Sequence, residues 1–265
     1  MNVSEFYIIY DIKNPNACNK CGSTHNRQAL SLETSRYNES MFMSLTLIAK
    51  APVASNVWLF TFEPSTPIVW IAGQFIRVEL PHNHPDSEGT KRQFTIASAP
   101  ADGHIQIATR ITGSSFKQAL QALPIGGRLN LVDLPAGDFT WPRDDSHPIV
   151  LAAQGIGITP VRSMIRQHLS EGRPIPATLV YSNLVPGIPF QDELSRWTAR
   201  KEFRVHMTTH PLTGKVLSDL VPNLASARVY VSGPDSLIEL VGPPVNLPIS
   251  SLKQDQFPNY ARVNY

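Results

Sequence analysis

One stretch, Gln154-Gly155-Ile156-Gly157-Ile158-Thr159-Pro160, decides the fold of the second half of this chain. It follows an apolar run, Ile149–Ala153, and precedes a segment with helical periodicity. The glycines permit a tight turn, Thr159 suits an N-cap, and Pro160 suits the first helical position, where no N–H is needed. The stretch predicts a strand, a turn and a helix whose N-terminus can bind a pyrophosphate. Glycine turns also serve packing alone, so the turn by itself leaves both interpretations open.

From residue 147 onward, apolar runs alternate with helical segments. This alternation is typical of a parallel sheet with helices on both faces, so we predict an α/β, Rossmann-like domain over 147–265. The predicted strands are Ile149–Ala153, Thr178–Tyr181, Phe203–Met207 and Val229–Ser232, and the predicted helices cover 160–170 and 192–199.

The first half has a different texture, with short β-type runs separated by Pro, Gly, Asn and Asp. Six such runs are typical of a barrel or a sandwich, and we predict an antiparallel β-barrel over 43–142, with one helix at Ser114–Leu123. A polar, proline-bearing segment, Trp141–His147, is the predicted linker to the second domain. The predicted strands are Leu45–Ala49, Val57–Phe62, Gln74–Leu80, Gln93–Ala97, Ile105–Arg110 and Leu129–Val132.

Composition excludes several classes of function. Hydrophobic residues make up 42% and charged residues 17% of the 265 positions, and no apolar stretch approaches the roughly 20 residues of a membrane span. The net charge is +2 and the basic residues are scattered, which argues against nucleic acid as a partner. We expect a cytoplasmic protein, because the N-terminus lacks the basic start and apolar core of a secretory signal.

A second candidate site lies on the run Arg92-Gln93-Phe94-Thr95-Ile96-Ala97-Ser98. Side chains alternate along a strand, so Arg92, Phe94 and Ile96 share one face. The guanidinium of Arg92 can bind a pyrophosphate, Phe94 offers an apolar plate for a flat ring, and Thr95 can donate to a ring nitrogen. The alternative is a strand with one exposed arginine and one core phenylalanine.

Taken together, these motifs resemble those of the ferredoxin–NADP reductase-like superfamily of flavoproteins, in order from about Leu45 to Tyr260. Arg92-x-Phe94-Thr95 is similar to its FAD signature, and Gly155-x-Gly157-x-Thr159-Pro160 is similar to its NAD(P)-pyrophosphate motif. The other matching segments are Gly73-Gln74-Phe75, Gly113-Ser114-Ser115-Phe116-Lys117, Pro135-Ala136-Gly137-Asp138-Phe139, Tyr181-Ser182-Asn183, Phe190-x-Asp192-Glu193-Leu194 and Ser232-Gly233-Pro234.

The resemblance implies hydride transfer from NADPH or NADH to bound FAD, and release of electrons to a protein or small-molecule acceptor. Thr95 and Ser232 would be the catalytic residues, and no metal is implied. The FAD ligands would be Arg92, Phe94, Thr95, Ile96, Arg110, Gly113, Ser114, Ser115 and Lys117. The nicotinamide cofactor would contact Gly155, Gly157, Thr159, Pro160, Ser182, Asn183, Gly233 and Pro234. Phe257 and Tyr260 are the candidates for an aromatic ring over the flavin.

Several positions depart from the family pattern. Gln154 replaces a glycine, Ser232 replaces a cysteine, and Leu184 and Val185 stand where a charged residue often selects between NADPH and NADH. The acceptor implied is a ferredoxin, a flavodoxin or an oxygenase component. Two alternatives stay open: a diaphorase or free-flavin reductase, and a flavin-binding module whose nicotinamide site has decayed.

Residues 1–42 are polar and irregular, and we interpret them as a disordered extension or as residues upstream of a true start at Met43. Cys18 and Cys21, with His25 nearby, have the spacing of half a zinc ribbon. A structural zinc needs four ligands, so metal binding here is the weaker interpretation.

Overall fold

The computed structural model describes residues 43–144, 146–234, 237, 240–241 and 252–255. Residues 1–42, with Cys18 and Cys21, and the candidate aromatics Phe257 and Tyr260 lie outside these ranges. The described residues form one compact unit with two sheets.

The first sheet has six strands, all antiparallel, in the order β4-β3-β6-β1-β2-β5. A backbone bridge joins Ile96, just after β4, to Ile107 on β5, so the two edges of the sheet meet. The predicted antiparallel barrel is confirmed. Its elements are β1 (Ser44–Ala54), β2 (Val57–Pro64), β3 (Phe75–Glu79), β4 (Lys91–Thr95), β5 (Ile105–Arg110), α1 (Ser115–Ala122) and β6 (Arg128–Ala136).

Alternating side chains fill the barrel. Phe60 and Phe62 on β2 and Ile105 and Ile107 on β5 are fully buried in one cluster, as expected for strands with one face turned inward. Phe116 on α1 is buried in the same cluster, and its ring lies 5.9 Å from that of Phe94. The helix therefore packs beside the strand that carries the predicted flavin signature.

The second sheet is wholly parallel, in the order β11-β10-β7-β8-β9. Leu151 and Ala153 on β7 pack with α2 and α3, whereas Val150 and Ala152 pack with α4. Helices therefore cover both faces, and the predicted α/β fold is confirmed. Its elements are β7 (Ile149–Gln154), α2 (Ile158–Ser170), β8 (Ala177–Ser182), α3 (Gln191–Thr198), β9 (Arg204–Thr208), α4 (Gly214–Leu220), β10 (Arg228–Ser232) and β11 (Leu252–Gln254).

The start of α2 differs from the prediction. A 3-10 turn over Gly155–Gly157 runs directly into the helix, which begins at Ile158 with Gly157 as N-cap. Thr159 is therefore not the N-cap; its hydroxyl donates to the carbonyl of Ile156 (3.0 Å). Pro160 occupies the third helical position, still within the turn whose N–H groups have no helical acceptor.

Helix α2 also fastens the two sheets together. Arg162 Nη1 donates to the carbonyl of Ala97 (2.6 Å) and the Ser163 hydroxyl donates to the carbonyl of Ser98 (2.6 Å), immediately after the flavin-signature strand. Glu193 on α3 pairs with Arg162 through Nη2 (2.8 Å) and Nε (3.1 Å). None of the helices in the described ranges combines the length and apolarity needed to cross a bilayer.

Candidate functional site

A cleft of about 270 Å³ lies between the barrel and the carboxyl edge of the parallel sheet. In open α/β sheets, ligands bind at this edge, outside the ends of the strands. Eleven of the residues predicted to bind a cofactor or take part in catalysis line it: Phe94, Thr95, Arg110, Lys117, Gly155, Gly157, Thr159, Asn183, Ser232, Gly233 and Pro234. The structure thus brings together both predicted catalytic residues and six of the eight predicted nicotinamide-cofactor contacts, but only four of the nine predicted FAD ligands.

The two glycines of the turn, Gly155 and Gly157, are required for different reasons. Gly155 has a left-handed backbone (φ 57°), and a Cβ there would lie 3.7 Å from Arg110 Nη2. A Cβ on Gly157 would lie 2.2 Å from the carbonyl oxygen of Ser232. Gly157 is therefore required for the turn to pack against the end of β10, and Gly155 for the chain to bend toward the cleft.

Thr95 and Ser232 meet at a carboxyl group that sequence analysis did not single out. Asp255 Oδ2 accepts hydrogen bonds from Thr95 Oγ1 (3.2 Å) and Ser232 Oγ (3.1 Å). The strand β11 pairs in parallel with β10, and the N–H of Asp255 donates to the carbonyl of Val231 (3.1 Å), which sets the carboxyl beside Ser232. The two predicted catalytic hydroxyls, one from each sheet, thus share one acceptor.

The pKa of the Asp255 carboxyl lies close to neutral pH. Burial raises its pKa to about 6, although the hydrogen bonds from Ser232 and Thr95 act in the opposite direction. A group with such a pKa in a cleft is a candidate for proton handling. Protonation at this carboxyl changes whether the two hydroxyls face a neutral or a negatively charged acceptor.

Two cations line the barrel side of the cleft. Arg110 is the last residue of β5, and Lys117 lies in the first turn of α1 with only 5% of its surface exposed. Burial lowers the pKa of Lys117, while the nearby charge of Glu88 partly raises it. Because Arg110 lies beside the Gly155 turn and Lys117 lines the same cleft, this wall favours an anionic ligand.

Asn183 offers an acceptor on the opposite wall. Its Nδ2 donates to the carbonyls of Val185 (2.6 Å) and Gly187 (3.0 Å), which folds the loop after β8. Its Oδ1 is buried and has no hydrogen-bond partner within the described part of the chain. A buried acceptor without a partner costs free energy unless a ligand supplies a donor.

Seven of the predicted residues that the structure describes lie outside the lining of the cleft. Ile96 is fully buried in the barrel core, and Ser182 donates its hydroxyl to the carbonyl of His210 (2.6 Å). Gly113 precedes α1, and Pro160 is buried in α2. The remaining three, Arg92, Ser114 and Ser115, gather around an acid of the chain itself.

That acid is Asp86, in the loop between β3 and β4. Arg92 is 2% exposed, and its Nη2 lies 2.6 Å from Asp86 Oδ1. Asp86 Oδ2 accepts from the Ser115 N–H (3.0 Å) and the Ser114 hydroxyl (3.2 Å). Binding of these three residues to a pyrophosphate stays a prediction, and in this structure they bind the Asp86 carboxylate.

The chemistry of the cleft lining suits the rings of the implied flavin and nicotinamide. Phe94, Ala108 and Ile156 give it apolar surface, Thr95 gives it a hydroxyl, and the turn at Gly155 brings the backbone close to Arg110. Asn183 Oδ1 accepts no hydrogen bond from the described residues, so a ligand can supply the donor. Flat, mostly apolar rings carrying a few polar groups are the ligands that such a cavity accepts.

No family model matches the chain. Ferredoxin–NADP reductase B of Sorangium cellulosum is 31% identical over 204 residues, covering 74% of this chain and 79% of that protein. Methane monooxygenase component C of Methylosinus trichosporium is 31% identical over 156 residues, covering 56% of this chain and 43% of that protein. The chain therefore spans less than half the length of the second relative.

The flavohem-like FAD/NAD-binding domain of the nitric oxide dioxygenase of Vibrio cholerae O1 biovar El Tor shares the fold, with a TM-score of 0.70 and 17% identity. That match covers 81% of this chain and 98% of the domain. The shared fold and the Sorangium cellulosum relative, of which this chain covers 79%, define the class of protein. The chain belongs to the ferredoxin–NADP reductase-like superfamily, so the predicted family, fold and enzyme class are confirmed.

Proposed function

We propose that this chain oxidises NADPH or NADH with bound FAD and passes the electrons to a separate acceptor, a ferredoxin, a flavodoxin or an oxygenase component. When bound, FAD would supply the hydride and electron chemistry between the nicotinamide and the acceptor, and Phe94, Thr95 and Arg110 would hold it. The family membership supports the class of reaction. The observation that carries the proposal is the Asp255 carboxyl joining Thr95 to Ser232 across the cleft.

The residues that line the cleft have different roles. Phe94 and Ile156 supply apolar surface that excludes water, and Arg110 with the backbone at Gly155 holds an anionic group. Asp255 Oδ2 accepts from the hydroxyls of Thr95 and Ser232, and the Thr95 hydroxyl donates to a flavin ring nitrogen once its single proton turns away from Asp255. Positioning of this kind supplies much of the rate of a hydride transfer.

Gln154 bears on the alternative of a decayed nicotinamide site. Its Oε1 accepts from the N–H of Leu212 (3.4 Å), in the loop that follows β9. The side chain is thus held by a neighbouring loop while its residue still lines the cleft. This arrangement supports an intact nicotinamide site rather than a lost one.

The test is an anaerobic titration of the purified, FAD-loaded chain with NADPH and then NADH, following bleaching of the flavin absorbance. Rapid bleaching by either nucleotide is expected and ranks the two. FAD binding without bleaching would favour the decayed module, and no binding of any flavin would overturn the proposal. Addition of free flavin in excess tests the free-flavin reductase, which predicts sustained turnover without a protein acceptor.

A further inference from the structure

The Asp86 carboxylate has the contacts of a bound anion. Its two oxygens accept from a guanidinium, a backbone N–H at the start of α1 and a hydroxyl, at 2.6 Å, 3.0 Å and 3.2 Å. A helix N-terminus with a neighbouring arginine is where phosphate groups bind in many proteins. Burial raises the pKa of Asp86, but these donors outweigh it and hold the pKa at about 2. The carboxyl is therefore ionised at neutral pH.

The loop that carries Asp86 is fastened to the same helix. The Asp86 N–H donates to Ser115 Oγ (2.9 Å), and Ser115 Oγ lies 3.0 Å from His82 Nε2. His82 Nδ1 lies 2.7 Å from the carbonyl of Leu80, which can only accept, so the proton is on Nδ1 and Ser115 donates to Nε2. One serine of α1 thus anchors both ends of the segment 82–86.

Each nitrogen of the Arg92 guanidinium lies against an acceptor of the chain itself. Its Nε lies 2.9 Å from Glu88 Oε2, and its Nη1 donates to the carbonyls of Glu88 (3.1 Å), Gly89 (2.9 Å) and Lys91 (2.8 Å). Its Nη2 pairs with Asp86 and lies 3.4 Å from the Ser114 hydroxyl. A phosphate group at this position meets two carboxylates and must displace at least one of them.

We propose that Asp86 is a specificity-determining residue that disfavours flavins bearing a pyrophosphate, by holding its own carboxylate on Arg92 and the first turn of α1. Riboflavin, which has no phosphate, carries no anionic group that competes with Asp86 for Arg92 and the start of α1. FAD must expel Asp86 or bear its repulsion. The inference rests on the proposed function, since it concerns the flavin of that same site.

The experiment compares flavin binding rather than activity. The flavin-free full chain is titrated with FAD and with riboflavin, following quenching of flavin fluorescence, for the wild type and Asp86→Asn. The asparagine keeps the size and one acceptor but removes the charge. We expect FAD to bind at least about tenfold more tightly to D86N, equivalent to about 1.4 kcal/mol, and riboflavin to bind within about twofold of wild type.

Asp133→Asn is the matched control. Asp133 pairs with Arg77 on the barrel surface, its side chain is 55% exposed, and its residue does not line the cleft. D133N should leave both affinities unchanged. An equal gain for FAD in D133N would assign the effect to net charge and overturn the specificity of Asp86.

Glu88→Gln keeps the inference testable if D86N does not fold. Glu88 pairs with Arg92, so its neutralisation should also strengthen FAD binding relative to riboflavin, by a smaller factor. FAD affinity that is unchanged or weakened in folded D86N, or in E88Q where D86N is lost, overturns the inference. A wild type that binds neither flavin overturns the proposed function instead, and the two failures are therefore distinguishable.

Discussion

Thr95 on the barrel and Ser232 on the parallel sheet donate to the same oxygen, Oδ2 of Asp255, at 3.2 Å and 3.1 Å. The two hydroxyls are 137 positions apart in the chain, from 95 to 232, yet one carboxyl fixes both. Changes at any of the three should therefore affect the same step of the reaction.

Loss of the Thr95 hydroxyl should slow flavin reduction. Thr95→Ala removes the donor beside the predicted ring position, and we expect a decrease of about 10²-fold in the rate of bleaching by the preferred nucleotide. Thr95→Ser keeps the hydroxyl and is the matched control, expected within about threefold of wild type. Stopped-flow absorbance measures both rates. Equal rates in T95A and T95S would show that the hydroxyl takes no part.

The rate of flavin reduction should fall as the pH rises through about 6. The ionised Asp255 carboxyl holds the Thr95 hydroxyl more strongly than the neutral form does, which withdraws that donor from the ring. Asp255→Asn cannot ionise, so its pH profile should be flat in this range. Asp219→Asn, on the exposed ion pair with Lys215, should keep the wild-type profile. An inflection near pH 6 that survives in D255N assigns the titration to another group.

The same carboxyl should make the free energy of unfolding depend on pH. Its pKa rises from 3.8 to about 6 on folding, so between these values the folded chain holds a proton that the unfolded chain releases. This stabilisation is present below pH 4 and is lost as the pH rises through about 6. D255N should therefore gain stability relative to wild type between pH 4 and pH 7. Urea unfolding across this range measures the difference, and a constant difference would contradict the raised pKa.

Gly157→Ala should destabilise the fold. The new Cβ would lie 2.2 Å from the carbonyl oxygen of Ser232, so β10 or the turn must shift. We expect a loss of about 1–3 kcal/mol in the free energy of unfolding. Gly113→Ala is the matched control, because no heavy atom lies within 4 Å of a Cβ there. A G157A protein as stable as G113A would mean that the turn packs differently from the structure.

Arg162→Met should weaken the junction between the two sheets. The guanidinium is buried, donates to the carbonyl of Ala97 and neutralises Glu193. Removing one partner of a buried pair leaves the other uncompensated, and we expect a loss of about 3 kcal/mol. Arg200→Met, which breaks an exposed pair with Glu202, should cost less than about 1 kcal/mol. Thermal unfolding of the two variants measures the contrast, and equal losses would contradict the role of Arg162.

The sequence predicted whole elements well where hydrophobic patterns were long. The strand Ile105–Arg110 has the predicted bounds, and most other elements differ by a few residues at their ends. The start of α2 moved because the 3-10 turn at Gly155–Gly157 extends the helix backward, so Thr159 lost its predicted capping role. Local propensity predicts that a helix begins here but does not fix its first residue.

Two features of the site could not be read from local pattern. The strand β11 has only three residues, Leu252–Gln254, and pairing with β10 rather than periodicity places it, so Asp255 gave no signal. The pairing of Arg92 with Asp86 depends on a loop that turns back on its own strand. The motif identified Arg92 as an anion ligand, but only the three-dimensional structure shows which anion it holds.

The hydrogen bonds from Arg162 to Ala97 and from Ser163 to Ser98 limit which domains of related proteins can be combined in a chimera. A chimera that took its parallel sheet from another reductase would bring a new α2 against this barrel. Unless that helix presents an arginine and a serine at the matching positions, the carbonyls of Ala97 and Ser98 lose their donors. Recombination between relatives is thus constrained at two backbone oxygens, whatever side chains line the cleft.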